Sequence, residues 1–286
     1  MRAKPFRTQL AVASLMLSAA CTENTPTPSE RMAEDRIEIT YLANEGFLLT
    51  AGNHKVLIDG LFREGTDGYA NLSLEQRETV ETAQPPFDTV DVVLATHHHA
   101  DHFHALAVCR FLDSNPLAEF VSTQQALDQM RSSCNNPAAL AGRVKAGLLS
   151  DGSSAPVVLD ELRIEAVFLH HGSASPVENI GFLIEIGGLT VLHMGDSQAT
   201  AEDLRAAGLG ERSIDLAFVP YWYLIDKRWT PAIELLQPGG IVVMHIPPPG
   251  SPLLESFQGW DALVRTIINR FQQAVVFAEP FETRTY

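Results

Sequence analysis

The sequence predicts an α/β fold, and two observations lead there. The run Val90, Asp91, Val92, Val93, Leu94, Ala95 suits a strand covered on both faces. Stretches with helical apolar spacing follow it, at Ala105, Val108, Cys109 and Leu112 and again at Leu263, Ile267 and Phe271. Of the 286 residues, about 250 remain beyond an N-terminal leader and linker, enough for one large domain or two small ones.

Taken in order, Met1 to Ala20 reads as an export signal. Arg2, Lys4 and Arg7 precede an apolar stretch from Leu10 to Leu17, too short to span a bilayer, and small residues lead to Cys21. Residues 21–35 are rich in Thr, Pro, Ser and Glu and suit a flexible tether, which leaves 36–286 as the folded domain. Ile37, Ile39 and Tyr41 alternate with polar neighbours as in a half-buried strand, and Phe47 to Thr50 and Lys55 to Ile58 follow as two more across Gly52-Asn53. Asp59-Gly60 closes this meander. Leu61 to Phe87 is polar, carries Gly65, Gly68, Pro85 and Pro86, and reads as a surface loop.

Beyond the run at Val90, Ala105 to Leu112 forms a short helix stopped by Asp113-Ser114-Asn115-Pro116; Phe120-Val121 is a strand and Gln124 to Met130 a helix. Val157 to Leu159 and Leu162 to Leu169 make a hairpin around Asp160-Glu161, and Ile180 to Ile186 and Leu189 to Met194 make another across Gly187-Gly188. Leu216 to Val219 is a further strand, followed by Pro220-Tyr221-Trp222-Tyr223, aromatics that either wall a site or pack in the core. Pro231 to Leu236 suits a helix capped by Thr230, Ile241 to Met244 a strand stopped beyond His245 by Pro247-Pro248-Pro249-Gly250, Gly259 to Gln272 an amphipathic helix, and Ala274 to Phe277 a last strand.

Chemistry concentrates in Thr96-His97-His98-His99-Ala100-Asp101-His102, where the chain leaves the covered strand. His97 and His99 are two residues apart, so their rings can face one cation, and Asp101 and His102 offer an oxygen and a nitrogen to a second. Four metal-capable side chains in six residues are hard to explain as packing, because imidazoles and carboxylates are costly to bury without partners. His54, His98, His104 and His193 read as turn, strand or neighbouring residues rather than ligands.

With His170-His171-Gly172, Gly195-Asp196 and His245 following in order, the sequence from Arg36 onward resembles the metallo-β-lactamase superfamily. The resemblance implies an αββα four-layer sandwich in a single domain, with two mixed sheets face to face and helices outside. It also implies two metal positions: His97, His99 and His171 at the first, Asp101, His102 and His245 at the second, and Asp196 between them. His170 remains an alternative to His171, since neighbouring strand residues face opposite ways. Asp59 falls where related chains often carry an aspartate that supports the metal loop, a simple turn aspartate being the alternative.

Mixed imidazole and carboxylate donors suit zinc, two ions per chain, with manganese or iron as alternatives; Asp101 is the expected catalytic carboxylate. Such ions lower the pKa of coordinated water to about 7, so the expected reaction is hydrolysis, with no serine or cysteine nucleophile. The resemblance narrows the substrate. His99 stands where di-iron oxidoreductases of the superfamily have Glu, and Asp196 where the lactamases proper have Cys or Ser. The Pro-Gly-His-Thr stretch of hydroxyacylglutathione hydrolases is missing. The layout is closest to lactonases and phospholipase-D-like members, which gives an ester, lactone or phosphodiester; an exported β-lactamase and a non-catalytic cell-envelope binding module are the alternatives.

The formal charge is −15, and loss of the leader with its three positive charges makes it −18. So acidic a chain repels nucleic acid, which leaves a small molecule as the expected partner. Leu17-Ser18-Ala19-Ala20-Cys21 resembles a bacterial lipobox, although the leucine stands four residues before the cysteine rather than three. The expectation is a periplasmic lipoprotein anchored through Cys21, or else a soluble secreted protein. In an oxidising compartment Cys109 and Cys134 are free to pair, the alternative for Cys109 being packing on its helix.

Overall fold

Fourteen strands fall into two seven-stranded sheets in the computed structural model, which describes residues 36–286 apart from 135–139, 149–153, 155, 161 and 173. The expected leader, Cys21 and tether lie outside the described residues. The first sheet runs in the order β14-β1-β2-β3-β4-β5-β6 and the second β13-β12-β11-β10-β9-β8-β7. Strands of the first are β1 (Glu38–Tyr41), β2 (Phe47–Ala51), β3 (His54–Ile58), β4 (Val92–Leu94), β5 (Glu119–Ser122), β6 (Val144–Ala146) and β14 (Thr283–Thr285). Those of the second are β7 (Val157–Leu159), β8 (Leu162–Phe168), β9 (Ile180–Ile186), β10 (Leu189–His193), β11 (Leu216–Pro220), β12 (Gly240–Met244) and β13 (Ala274–Val276).

Period-2 alternation decides how the sheets stack. Tyr41, Phe47, Leu49, Val56, Ile58, Val92 and Leu94 point into one core with Phe182, Ile184 and Phe218 of the second sheet. Their neighbours Leu42, Leu48, Leu57 and Val93 point the other way, into a second core beneath α2 (Ala105–Ser114) and α3 (Gln124–Ser133). Because β4 is covered on both faces, all three of its residues are buried, as a continuous apolar run requires. The other outer layer comprises α4 (Ala201–Ala206), α5 (Trp222–Ile225), α6 (Thr230–Leu236) and α7 (Trp260–Arg270), whose Leu204, Leu224, Ile233, Leu263 and Ile267 close the first core.

Strand direction places the site. β1 and β2 are antiparallel, β2 and β3 antiparallel, and β3, β4 and β5 parallel, so β1, β3 and β4 end on one edge. In the second sheet β8, β10 and β12 likewise share a direction and an edge. Loops leaving these ends carry every candidate residue.

Several elements differ from the sequence reading. Residues 74–81 of the expected loop form helix α1 (Leu74–Glu81), started by a reciprocal capping box between Ser73 and Gln76; its weak apolar face hid it from periodicity. Thr230 is the first residue of α6 rather than its cap, and its hydroxyl accepts from Arg270 instead. Phe271 lies just past α7, and Pro252–Phe257 forms a short 3-10 turn before it. β6 and β14 are edge strands of three residues, too short for a pattern to mark, and β14 pairs with β1 from the far end of the chain. Cys109 and Cys134 form a disulfide that ties α2 to the end of α3.

Candidate metal centre

The loop after β4 starts with Thr96, whose backbone N–H donates to Asp59 Oδ1 and whose hydroxyl donates to Asp59 Oδ2, both at 2.7 Å. His102 Nδ1 donates to the same Oδ2 at 2.9 Å. One buried carboxylate at the end of β3 therefore fixes both ends of the His-rich loop and aims Nε2 of His102 inward. Thr96 Oγ1 lies 3.1 Å from His97 Nδ1. Having given its own proton to Asp59, the hydroxyl accepts from that nitrogen and leaves His97 Nε2 with its lone pair.

Asp196 sits at the centre. Its Oδ2 lies 3.9 Å from His97 Nε2, 3.6 Å from His102 Nε2 and 3.3 Å from His171 Nε2, and its Oδ1 is 3.3 Å from His245 Nε2. Asp101 Oδ2 stands 3.8 Å from His102 Nε2 and 3.9 Å from His245 Nε2, while His99 Nδ1 is 3.0 Å from His97 Nε2. The donor atoms gather into four overlapping groups: His97, His99, His171 and Asp196; Asp101, His102 and His245; and two that contain Glu45, one with Asp59 and His102 and one with Asp196 and His245. All seven residues singled out in the sequence converge. His170 does not join them: it accepts from the N–H of Gly172 and donates from Nε2 to Asp203 at 3.2 Å, so both its nitrogens are engaged elsewhere.

Polar residues that the pattern did not mark hold this arrangement. Asn44 Nδ2 and Thr66 Oγ1 both donate to Asp101 Oδ2, at 3.1 and 2.8 Å. The N–H of His245 donates to the carbonyl of Asn44, and Nε2 of His193 to the carbonyl of Glu45. Fully buried Asn179 donates to the carbonyls of Leu169 and Met194 and accepts from the N–H of Asp196, so it clamps together the two loops that bring His171 and Asp196. The only sequence signal for these residues was a polar side chain beside an apolar strand end, which also describes an ordinary turn.

Backbone strain collects here as well. Asn44, Asp59 and His245 have φ of 52°, 43° and 52°, a region that side chains adopt at a cost and keep where surrounding contacts enforce it. At Gly195, φ is 56° and a Cβ would come within 2.5 Å of Asn179 Oδ1 and 2.8 Å of Thr96 Cβ, so glycine alone fits.

The electrostatics separate the imidazoles. Burial, followed by the neighbouring His102, pushes His97 well below the ordinary histidine range, and burial with His171 lowers His99. His102 goes the other way: burial lowers it, but Asp196 and Asp59 together outweigh that and hold it well above the usual value. His171 is raised by the Asp196 carboxylate facing its Nε2. Burial opposes charge on Asp196, yet His245 and His102 keep the carboxyl well below the ordinary range.

This donor set fits a cation. His102 Nε2, His171 Nε2 and Asp196 Oδ1 are buried and have no hydrogen-bond partner, although both nitrogens face Asp196 Oδ2 and Asp196 Oδ1 faces His245 Nε2. Lone pairs so placed repel unless something positive lies between them. One flank is open, since His99 and His171 are only half-buried. Beside it Tyr69 and Trp222 pack edge-on against His245, at ring-centroid distances of 4.4 and 5.3 Å. Tyr223, from the same aromatic run, lies in the core and bonds to Ser197 and to the carbonyl of Ala199. The run therefore divides between wall and packing.

Two mixed sheets face to face, helices outside and a His/Asp cluster on a shared strand edge define a protein of the metallo-β-lactamase fold. Residues 38–245 match the profile described as the β-lactamase superfamily domain, and the chain belongs to that superfamily. Among named proteins it is similar to a metal-dependent hydrolase of Pyrococcus furiosus, 26% identical over 218 residues, covering 73% of this chain and 84% of that one. A metal-dependent hydrolase of Thermus thermophilus is 26% identical over 219 residues, covering 73% and 83%. Among solved structures, the metallo hydrolase Igni18 of Ignicoccus hospitalis superposes with a TM-score of 0.56 at 22% identity, over 88% of this chain and 98% of the other. The metallo-β-lactamase fold protein YhfI of Bacillus subtilis gives 0.57 at 15% identity, over 88% and 100%. At those identities the structures speak for the fold alone.

Proposed function

We propose that this metal-dependent hydrolase holds two divalent ions and cleaves a small ester, lactone or phosphodiester. His97, His99 and His171 would bind one ion, Asp101, His102 and His245 the other, and Asp196 would bridge them; zinc suits the donors, with manganese or iron as alternatives. The observation that carries the reading is the position of Asp196, whose Oδ2 faces His97, His102 and His171 while Oδ1 faces His245. Two such ions would supply Lewis acidity and a water acidic enough to attack at neutral pH.

The chain's own residues do the remaining work. Asp101, oriented by Asn44 and Thr66, is the carboxylate placed to hold a proton of the attacking water. Tyr69, Trp222 and Tyr221 form an aromatic wall on the His245 side against which the apolar part of a substrate can lie. Export to the cell envelope, with a lipid on Cys21, is part of the proposal; the Cys109–Cys134 disulfide supports it, since such bonds persist in oxidising compartments.

Metal analysis after gentle purification, followed by a screen of lactones, carboxylic esters and phosphodiesters, tests the reading. Two equivalents of metal and a turnover that vanishes in Asp101→Ala are expected. Less than one equivalent, or equal turnover in the variant, would overturn it. Hydrolysis of a chromogenic cephalosporin in preference to the other classes would favour a β-lactamase instead.

A further inference from the structure

The turn between β1 and β2 carries an unexplained charge-bearing side chain. Glu45 is 0% exposed, and neither of its carboxylate oxygens has a hydrogen-bond partner. Among the described residues no Lys or Arg lies within ion-pair distance of it; its ion-pair contact is His102, at 3.7 Å from Oε2 to Nδ1. That nitrogen is already committed to Asp59 at 2.9 Å. Glu45 also falls in a group with Asp196 and His245 whose donor atoms all lie within 4.8 Å of one another.

A carboxylate buried beside a second carboxylate, without a donor, is among the least favourable arrangements a fold can contain. The backbone nevertheless holds it there. The carbonyl of Glu45 accepts from His193 Nε2 at 3.2 Å, the preceding carbonyl of Asn44 accepts from the N–H of His245 at 3.1 Å, and Asn44 has φ of 52°. The turn is thus tied to the last residue of β10, three residues before Asp196, and to His245 itself.

We propose that Glu45 is an additional carboxylate ligand of the second ion, completing the set Asp101, His102, His245 and Asp196. The proposal rests on the two-ion reading above. It makes the two positions chemically unequal. The first has three imidazoles and one shared carboxylate, a set that suits zinc. The second has two imidazoles and three carboxylates, an oxygen-rich set with a higher coordination number that suits a harder ion such as manganese.

Manganese binding to the apo-protein, followed by equilibrium dialysis and electron paramagnetic resonance, tests this in the wild type and in Glu45→Gln. The wild type is expected to take up two ions; Glu45→Gln, with matching circular dichroism, is expected to keep one at wild-type affinity and bind the other at least tenfold more weakly, with an altered spectrum. If glutamine, which keeps the shape and can donate to Asp196, binds both ions within threefold of wild type, Glu45 is not a ligand. A wild type that binds fewer than two ions overturns the two-ion reading itself, a distinguishable result. Should Glu45→Gln fail to fold, a crystal structure of the manganese-loaded wild type decides: a Glu45 oxygen within about 2.5 Å of the second ion supports the assignment, and one beyond the first coordination sphere refutes it.

Discussion

Replacing Asp59 by asparagine changes a single atom, and the structure specifies the consequence. Oδ1 accepts from the backbone of Thr96, while Oδ2 accepts from the Thr96 hydroxyl and from His102 Nδ1. If the asparagine NH2 takes the place of Oδ2, the Thr96 hydroxyl can rotate to accept from it, but His102 Nδ1–H then faces a donor. The ring can escape only by moving its proton to Nε2, the atom that faces Asp101 and Asp196, and so loses the lone pair a metal needs. If the amide is turned round, the NH2 faces the backbone N–H of Thr96 instead. Either way one buried donor is left opposed, at about 1–3 kcal/mol of stability. Losing the support of one ligand typically weakens metal binding 10- to 100-fold, or about 1.4–2.7 kcal/mol. Urea unfolding of the apo-variant reads the first quantity and calorimetric titration with zinc the second, while ring-nitrogen NMR reports the His102 tautomer. An unfolding midpoint and second-ion affinity both indistinguishable from wild type would refute this role for Asp59.

Two further outcomes follow from the geometry. Gly195→Ala must place a methyl against Asn179 and Thr96 at a φ of 56°; it is expected to cost about 2–3 kcal/mol and to displace Asp196, so its urea midpoint and its metal stoichiometry should both fall. A fully metallated, wild-type-stable variant would contradict the packing described for that turn. The second concerns acid. Arg63 Nε and Nη2 donate to the two oxygens of Glu81 at 2.7 Å, and although burial pushes this carboxyl up, Arg63 and Arg110 hold it below the ordinary range. A depressed carboxylate contributes its stability in full above the unfolded value of about 4.3 and loses it as pH falls through the folded value. The wild type should therefore exceed Glu81→Gln by about 1–2 kcal/mol at neutral pH, with the gap closing as pH falls below about 4.3. Denaturation midpoints across that range that keep a constant gap would show that the pair adds nothing.

Donor types and their order along the chain are local properties. Two histidines two residues apart, followed by Asp101-His102 where an apolar strand ends, state both the chemistry and its position before any contact is known, because strand periodicity and imidazole affinity for cations need no partner element. Alternation in β1 and the continuous apolar run of β4 made strands legible, and the ordered His and Asp motifs, through their resemblance to the superfamily, implied the layered fold. What remained open depended on contacts between distant residues. His171 rather than His170 joins the cluster because the chain turns at Gly172 so that His170 is drawn to Asp203. Asn44, Thr66, Asn179 and Glu45 reach the centre across long stretches of sequence, and a polar residue in a turn looks the same on paper whether it meets water or a buried carboxylate. Helix α1 rests on a capping box with little apolar face, and β14 exists only because β1 offers it an edge. Pattern within a segment fixes which groups are present; the packing of one sheet on the other fixes which of them meet.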